Sequence, residues 1–364
     1  KNRYTNLPLT VLFGSSPRRE KILAVEILSQ EGHENAVPLL LDALGKFRND
    51  ELLHIKILHA LGKSGSMEAV PTLLDSFADS RVAIRLASVK SLALFQNLGA
   101  AFYKQAFARY RIVEELKSLF RREESESVRA AIVAVFSQLE APDVVPFLLS
   151  VLKESSPIVQ AKCISVCAQF HDPTVAYYIE PYIHNPHSLI AATAAAALYN
   201  INRSYRERSR EVLENLLESK KPQAREAALA ALATVEADWC GRTLLNFVTS
   251  PHQSERFHAA LGLARQGDTR GCELLAEQVV TGSSADIVRF HDSFRTFSHT
   301  VQKKIGGYLS VAVSHHIRMF LKKHPHDALE HLAAPDLERF IMLYEILERY
   351  QEASDLQEAL DEKR

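Results

Sequence analysis

The residues best equipped for chemistry are the 15 histidines, the four cysteines and a short run of arginines. Seven histidines crowd the C-terminal part: His291, His299, His315, His316, His324, His326 and His331. A metal site needs three or four converging ligands with partners behind them, and neighbours such as His315 and His316 point to different sides of a helix. Cys163, Cys167, Cys240 and Cys272 form no CxxC pair and no zinc-ligand spacing. Cys163 and Cys167, four apart at apolar positions, read as small buried hydrophobes. HExxH, the phosphate-binding P-loop, GxSxG and a GxGxxG after a strand are all missing. The expectation is therefore no metal, no cofactor and no catalytic set.

Two clusters suit recognition instead. Phe102, Tyr103, Lys104, Arg109, Tyr110 and Arg111 mix aromatic rings with cations, the composition of interface anchors. The competing reading is a long helix whose Phe102, Phe107 and Tyr110 pack on a neighbour. Arg203, Arg206, Arg208 and Arg210 fall within eight residues, and guanidinium forks match phosphate or acidic peptide. Glu207 interleaves them, which favours a solvated turn. Trp239, the single tryptophan, falls in an expected turn, Glu236-Ala237-Asp238-Trp239, as a plug between elements or an exposed anchor.

The elements that must position these clusters follow from an internal period. AVPLLLDAL at 36–44, AVPTLLDSF at 69–77 and VVPFLLSVL at 144–152 each place a proline at the opening of a leucine-rich helical pattern. Proline suits that place because its φ is already helical and its missing N–H has no partner to lose. Seventeen residues earlier stand Lys21, His54 and Arg129. The same place recurs as Lys21, His54, Arg85, Arg129, Gln160, Ala191, Arg225 and Arg256, with steps of 33, 31, 44, 31, 31, 34 and 31. Three residues on stand Ala24, Ile57, Ser88, Ile132, Cys163, Ala194, Ala228 and Ala259. Seven on stand Leu28, Leu61, Leu92, Phe136, Cys167, Leu198, Leu232 and Leu263. Small or apolar residues at three and seven mark one face of a helix. Polar turns such as Gly32-His33-Glu34-Asn35, Glu140-Ala141-Pro142-Asp143, His171-Asp172-Pro173-Thr174 and Gly267-Asp268-Thr269-Arg270 separate it from the second helix of each unit. No window alternates with period 2, so no sheet is expected.

An arginine in the first helix, the Ala/Leu ladder after it and AVPxLLxxL opening the second resemble HEAT repeats, particularly the short bacterial kind related to phycobilin lyases. The resemblance covers residues 16–284, about eight repeats, with a poorer ninth around Arg289. It implies an all-α, right-handed superhelical solenoid of eight to nine helical hairpins. One hairpin cannot bury its stripe alone, so the ends need caps. Residues 1–15, with Leu7–Phe13, would cap the first repeat. Residues 285–364, with helices around 302–322 and 334–362, would form the degenerate ninth repeat and the C-terminal cap. The register arginines are expected to bond acidic or carbonyl groups of adjacent repeats, with Asp42 and Asp75 as candidate acids or as solvent-exposed residues.

Lys+Arg 43 against Asp+Glu 44 leaves a formal charge of −1, which argues against a nonspecific grip on nucleic acid. No apolar run reaches the length of a membrane span, and the cysteine usage fits a reducing, cytoplasmic setting. The start at Lys1 is what a piece of a longer protein would show. The reading is a non-catalytic scaffold or docking domain that binds another protein or peptide on the concave, second-helix surface. Its alternatives are a chromophore-lyase-like or nucleic-acid-processing HEAT-like protein, or the regulatory domain of a larger membrane-associated protein, tethered to that membrane.

Overall fold

The computed structural model describes residues 6–30, 36–95, 108–137, 143–235, 237–282, 284–294, 297–323 and 334–346. Every regular element among the described residues is helical, and none of the helices is long and apolar enough to cross a membrane. The chain divides into two compact units, Lys1–Asp172 and Pro173–Arg364.

In the first unit α1 (Asn6–Phe13) packs on α2 (Arg18–Gln30). First helices α2, α4 (Glu51–Ser64), α6 (Val82–Ala93), α8 (Glu126–Phe136) and α10 (Pro157–Gln169) alternate with second helices α3 (Ala36–Lys46), α5 (Ala69–Asp75), α7 (Ile112–Arg122) and α9 (Val144–Val151). The second unit continues the alternation. Its first helices are α12 (Ser188–Ile201), α14 (Pro222–Leu232) and α16 (Gln253–Arg265). Its second helices are α11 (Pro173–Ile179), α13 (Arg206–Leu217), α15 (Asp238–Phe247) and α17 (Thr269–Thr281). Then come α18 (Ser284–Phe294), the long α19 (His299–Lys323), which packs on α17, and α20 (Ala334–Ile346), which packs on α18.

The small-or-apolar ladder forms the core. All sixteen residues three and seven places past the register position are 5% exposed or less, from Ala24 to Leu263. Each large one contributes roughly 1.5–3 kcal/mol by leaving water. Ser88, the single polar member, donates its hydroxyl to the Leu73 carbonyl inside the core. Small residues let successive first helices approach closely. A side chain at Gly62 of α4 would lie 2.5 Å from the Ser91 carbonyl oxygen of α6, so only glycine fits there.

The turns between repeats share one construction. Six residues before the register position, the side chains of Asp79, Glu123, Asn185, Ser219 and Ser250 accept the backbone N–H two residues on, at 2.9, 2.9, 2.9, 3.2 and 3.2 Å. Such turns occupy an amide that the following helix leaves unpaired. The register side chain then reaches back to the carbonyl at that place. Arg85 donates to Asp79, Arg225 to Ser219 and Arg256 to Ser250, each at 2.8 Å, and His54 to Arg48 at 3.4 Å.

Acids complete two of these clamps. Arg85 grips Glu123 with two bonds, Nε to Oε2 at 2.7 Å and Nη2 to Oε1 at 2.8 Å. Arg225 holds Glu255 at 2.7 and 2.6 Å, and the Ser250 hydroxyl donates to the other oxygen at 2.6 Å. The register arginines are thus structural. Their acids are Glu123 and Glu255, however, not Asp42 and Asp75, which are exposed. Asp42 and Asp75 lie on the outward side of second helices, whereas Glu123 and Glu255 lie in or beside the turns that enter the next first helix. Among the described residues no acid pairs with Arg129. It stacks on Phe120 at 5.0 Å, with its Nε buried and unpartnered.

Two outcomes test this core. Leu232→Asp, at a fully buried position, should cost about 4 kcal/mol or more by burying an unpaired charge, read as lost helicity or a collapsed urea midpoint. A stable, fully helical variant would refute the register. The Arg85 guanidinium holds the Glu123 carboxyl below its ordinary range. Its contribution is therefore complete above the unfolded value near 4.5 and lost as pH falls through the lower folded value. Glu123→Gln should destabilise by about 3 kcal/mol at pH 7 and flatten the acid limb of the stability curve, and an unchanged limb would show that the pair does not carry it.

Candidate functional site

Of the first predicted cluster, Phe102, Tyr103 and Lys104 lie outside the described residues. Arg109 is helical, and Tyr110 and Arg111 form the turn directly ahead of α7. Arg109 and Arg111 are exposed, and Arg109 stacks on the half-buried Tyr110 ring at 5.3 Å. Arg111 has φ 48°, a left-handed conformation that costs a side-chain-bearing residue roughly 1 kcal/mol.

The second cluster spans a short 3-10 turn, Arg203–Tyr205, and the first turns of α13. Helical spacing sorts its arginines. Ser209, Leu213 and Leu217 form the buried stripe of α13, and Glu207, Glu211 and Glu218 stand on the opposite, exposed side. The arginines leave along the flanks. Arg208 reaches back to the segment after α11, bonding Glu180 at 2.9 Å and the His184 ring at 2.5 Å, and Tyr205 donates to Glu180 at 3.0 Å. On the other flank Arg206 lies 5.2 Å over the Tyr199 ring of α12, and Arg210 lies 5.1 Å over the Trp239 ring of α15. Arg210 also bonds Glu214 at 2.8 Å. The indole N–H of Trp239 donates to the Tyr199 hydroxyl at 3.2 Å. Trp239 is therefore a plug between repeats, and it occupies the first turn of α15 rather than a loop. Arg203 is exposed, and among the described residues neither an acid nor a ring holds it.

Sequence reasoning missed Tyr177 and Tyr178 on α11. They are 77% and 54% exposed, with their rings in edge contact at 5.5 Å. Two adjacent tyrosines carry no distinctive spacing. The signal was available only by placing Tyr177 in register with Pro38, Pro71 and Pro146, all exposed on the outward side of their second helices.

The titratable groups are packed rather than poised. Burial pushes the Cys163, Cys167 and Cys240 thiols up to about 12, so they are inert as nucleophiles near neutrality. His258 is pushed down to about 4 by burial, and the nearby Arg289 adds to the depression against the opposing pull of Asp286. His316 packs on Phe340, with ring centres 5.7 Å apart. His315 is exposed on the same helix, and His324, His326 and His331 lie outside the described residues. Among the described residues no three His, Cys, Asp or Glu side chains are grouped as metal ligands.

A family model of HEAT repeats matches residues 7–93, 113–199 and 145–233, more than half of the chain. The chain belongs to the HEAT-repeat family. No curated protein matches it. Among solved structures, human deoxyhypusine hydroxylase in complex with glycerol is 14% identical, with 79% of this chain and 97% of that chain covered and a TM-score of 0.39. The CpcE–CpcF complex of phycocyanin lyase from Nostoc sp. PCC7120 is 19% identical, covering 74% and 93%, with a TM-score of 0.35. Yeast importin-beta (Kap95p) is 12% identical, covering 94% of this chain and 52% of that chain, with a TM-score of 0.45. Likenesses this remote carry no argument about activity or partner.

The left-handed turn gives a local test. Arg111→Val should cost about 1–2 kcal/mol, because a β-branched residue resists that conformation, while Arg111→Gly should be neutral or slightly stabilising. Chemical denaturation of both variants checks it, and equal losses would remove backbone strain as the cause.

Proposed function

We propose that this HEAT-repeat chain is a non-catalytic docking scaffold that holds another protein or peptide along the outward faces of its second helices. The observation that carries this reading is the Tyr177–Tyr178 pair. Large aromatic rings left this open to water are costly unless something covers them, and tyrosine is among the residues enriched where proteins meet. The division of labour among the arginines supports it. Those of the register are consumed inside the fold, whereas exposed arginines outside it, Arg109, Arg111, Arg203 and Arg206 among them, can meet a partner. The balanced charge favours a protein partner over nucleic acid. The aromatic and basic segment around Phe102, Tyr103, Lys104, Arg109, Tyr110 and Arg111 would add a second contact region. Four buried free cysteines suit a reducing, cytoplasmic setting.

The test compares partner capture by the wild type, by Tyr177→Ala/Tyr178→Ala and by Tyr103→Ala/Arg109→Ala/Tyr110→Ala, each first checked for unchanged helicity and melting. Folded variants should lose at least about tenfold in affinity for the protein the wild type retains. Undiminished capture by both variants would sink the assignment of these surfaces.

A further inference from the structure

Arg206 differs from the other arginines of its cluster. Arg208 is taken up by Glu180 and His184, and Arg210 by Glu214. Arg206 is exposed and lies over Tyr199, and no carboxylate among the described residues pairs with it. A guanidinium stacked on a ring keeps its in-plane N–H edge open for two parallel bonds to an oxyanion. The ring beneath it is itself fixed, because Tyr199 is 9% exposed and its hydroxyl accepts the Trp239 N–H. The receptor edge is thus ordered before any ligand arrives, which lowers the entropy lost on binding.

We propose that the seam at Tyr199 and Trp239, beside the start of α13, receives a stretch of partner polypeptide that carries one Asp or Glu carboxylate, which pairs with Arg206. This rests on the scaffold reading and names the chemistry of the partner. The surrounding charges set the class of ligand. Arg203 precedes Arg206 by one turn, and the exposed Arg242 follows Trp239 by one turn of α15. Neither has an acidic partner among the described residues. Glu207 and Glu211 on the exposed side of α13 repel an acidic segment from that ridge and direct it into the seam. Glu214 and the exposed Asp238 border the seam as well. A singly charged carboxylate fits beside them better than a phosphate, whose charge of nearly −2 would meet stronger repulsion.

Trp239 supplies a local reporter, since it is the chain's single tryptophan and forms one wall of the seam. The probe is an unstructured decapeptide with one central Glu among neutral polar residues and capped ends, titrated into the full chain at low salt while Trp239 emission is followed. Its Gln counterpart and a phosphoserine counterpart serve as comparison arms. The acidic peptide should shift the emission and the amide peptide should not. Arg206→Ala should weaken binding by about tenfold, and Arg206→Lys should recover only part of it because the fork is gone. Arg270→Ala, a change at an exposed arginine paired with Asp268, should leave binding unchanged. Absence of binding to the wild type, equal binding by Arg206→Ala, or tighter binding of the phosphoserine peptide would each overturn the proposal. The first of these together with persistent Tyr177-dependent capture removes only the carboxylate assignment, whereas failure to capture any protein removes the scaffold reading with it.

Discussion

A helical repeat has to solve one recurrent problem, which is what to do with the backbone groups where one hairpin ends and the next begins. The last carbonyls of a second helix and the first amides of the following first helix are left without helical partners, and here they meet in a turn of few residues. The chain closes that turn from both sides. In three of these turns a short polar side chain takes an amide and a register arginine takes the carbonyl of the same residue. Because the arginine extends from the first helix, the bond also fixes how that helix leaves the turn, and with it the alignment of the Ala/Leu ladder below.

Once the guanidinium is anchored by a carbonyl, its remaining donors are available to an acid, and the position of that acid varies. Glu123 comes from the turn of the following repeat, Glu255 from the first helix of the following repeat. The clamp therefore also ties consecutive repeats together. Burial pushes the Glu255 carboxyl up, while the Ser250 hydroxyl and the Arg225 guanidinium together hold it below its ordinary value. Attraction outweighs the cost of removing the charge from water only because both oxygens are bonded. Arg129 shows the contrary case. Its guanidinium lies over the face of Phe120, and no acid among the described residues pairs with it.

Much of this was legible in the sequence because it rests on position alone. A side chain three or seven residues past a fixed point on a helix lands on the same face in every repeat, so the buried ladder could be counted off from Ala24 to Leu263. The pairing of arginines with acids was legible in kind and missed in address. Asp42 and Asp75 match each other in register, but register within second helices decides only which side of the helix they share. Turn residues such as Glu123 earn their partners through the path of the chain in three dimensions. Trp239 was read as a loop residue for a similar reason, since the helix it opens has no Ser or Thr cap and no proline to announce it.

The candidate surface was legible in composition but not in direction. Four arginines within eight residues suggest one basic patch, yet successive residues on a helix point about 100° apart. Arg208 and Arg206 consequently serve opposite flanks of α13, and the outward ridge belongs to glutamates. A cluster that looks uniformly basic on paper becomes an alternation of acid and base across one helix. That alternation keeps the surface near neutral while leaving one oriented guanidinium in each gap where a ring can hold it. Tyr199 and Trp239 decide which gap, because an arginine with no ring and no acid, such as Arg203, has nothing to orient it. Recognition by such a surface depends on where a fork is held, so the count of arginines in a run says little about which group each of them receives.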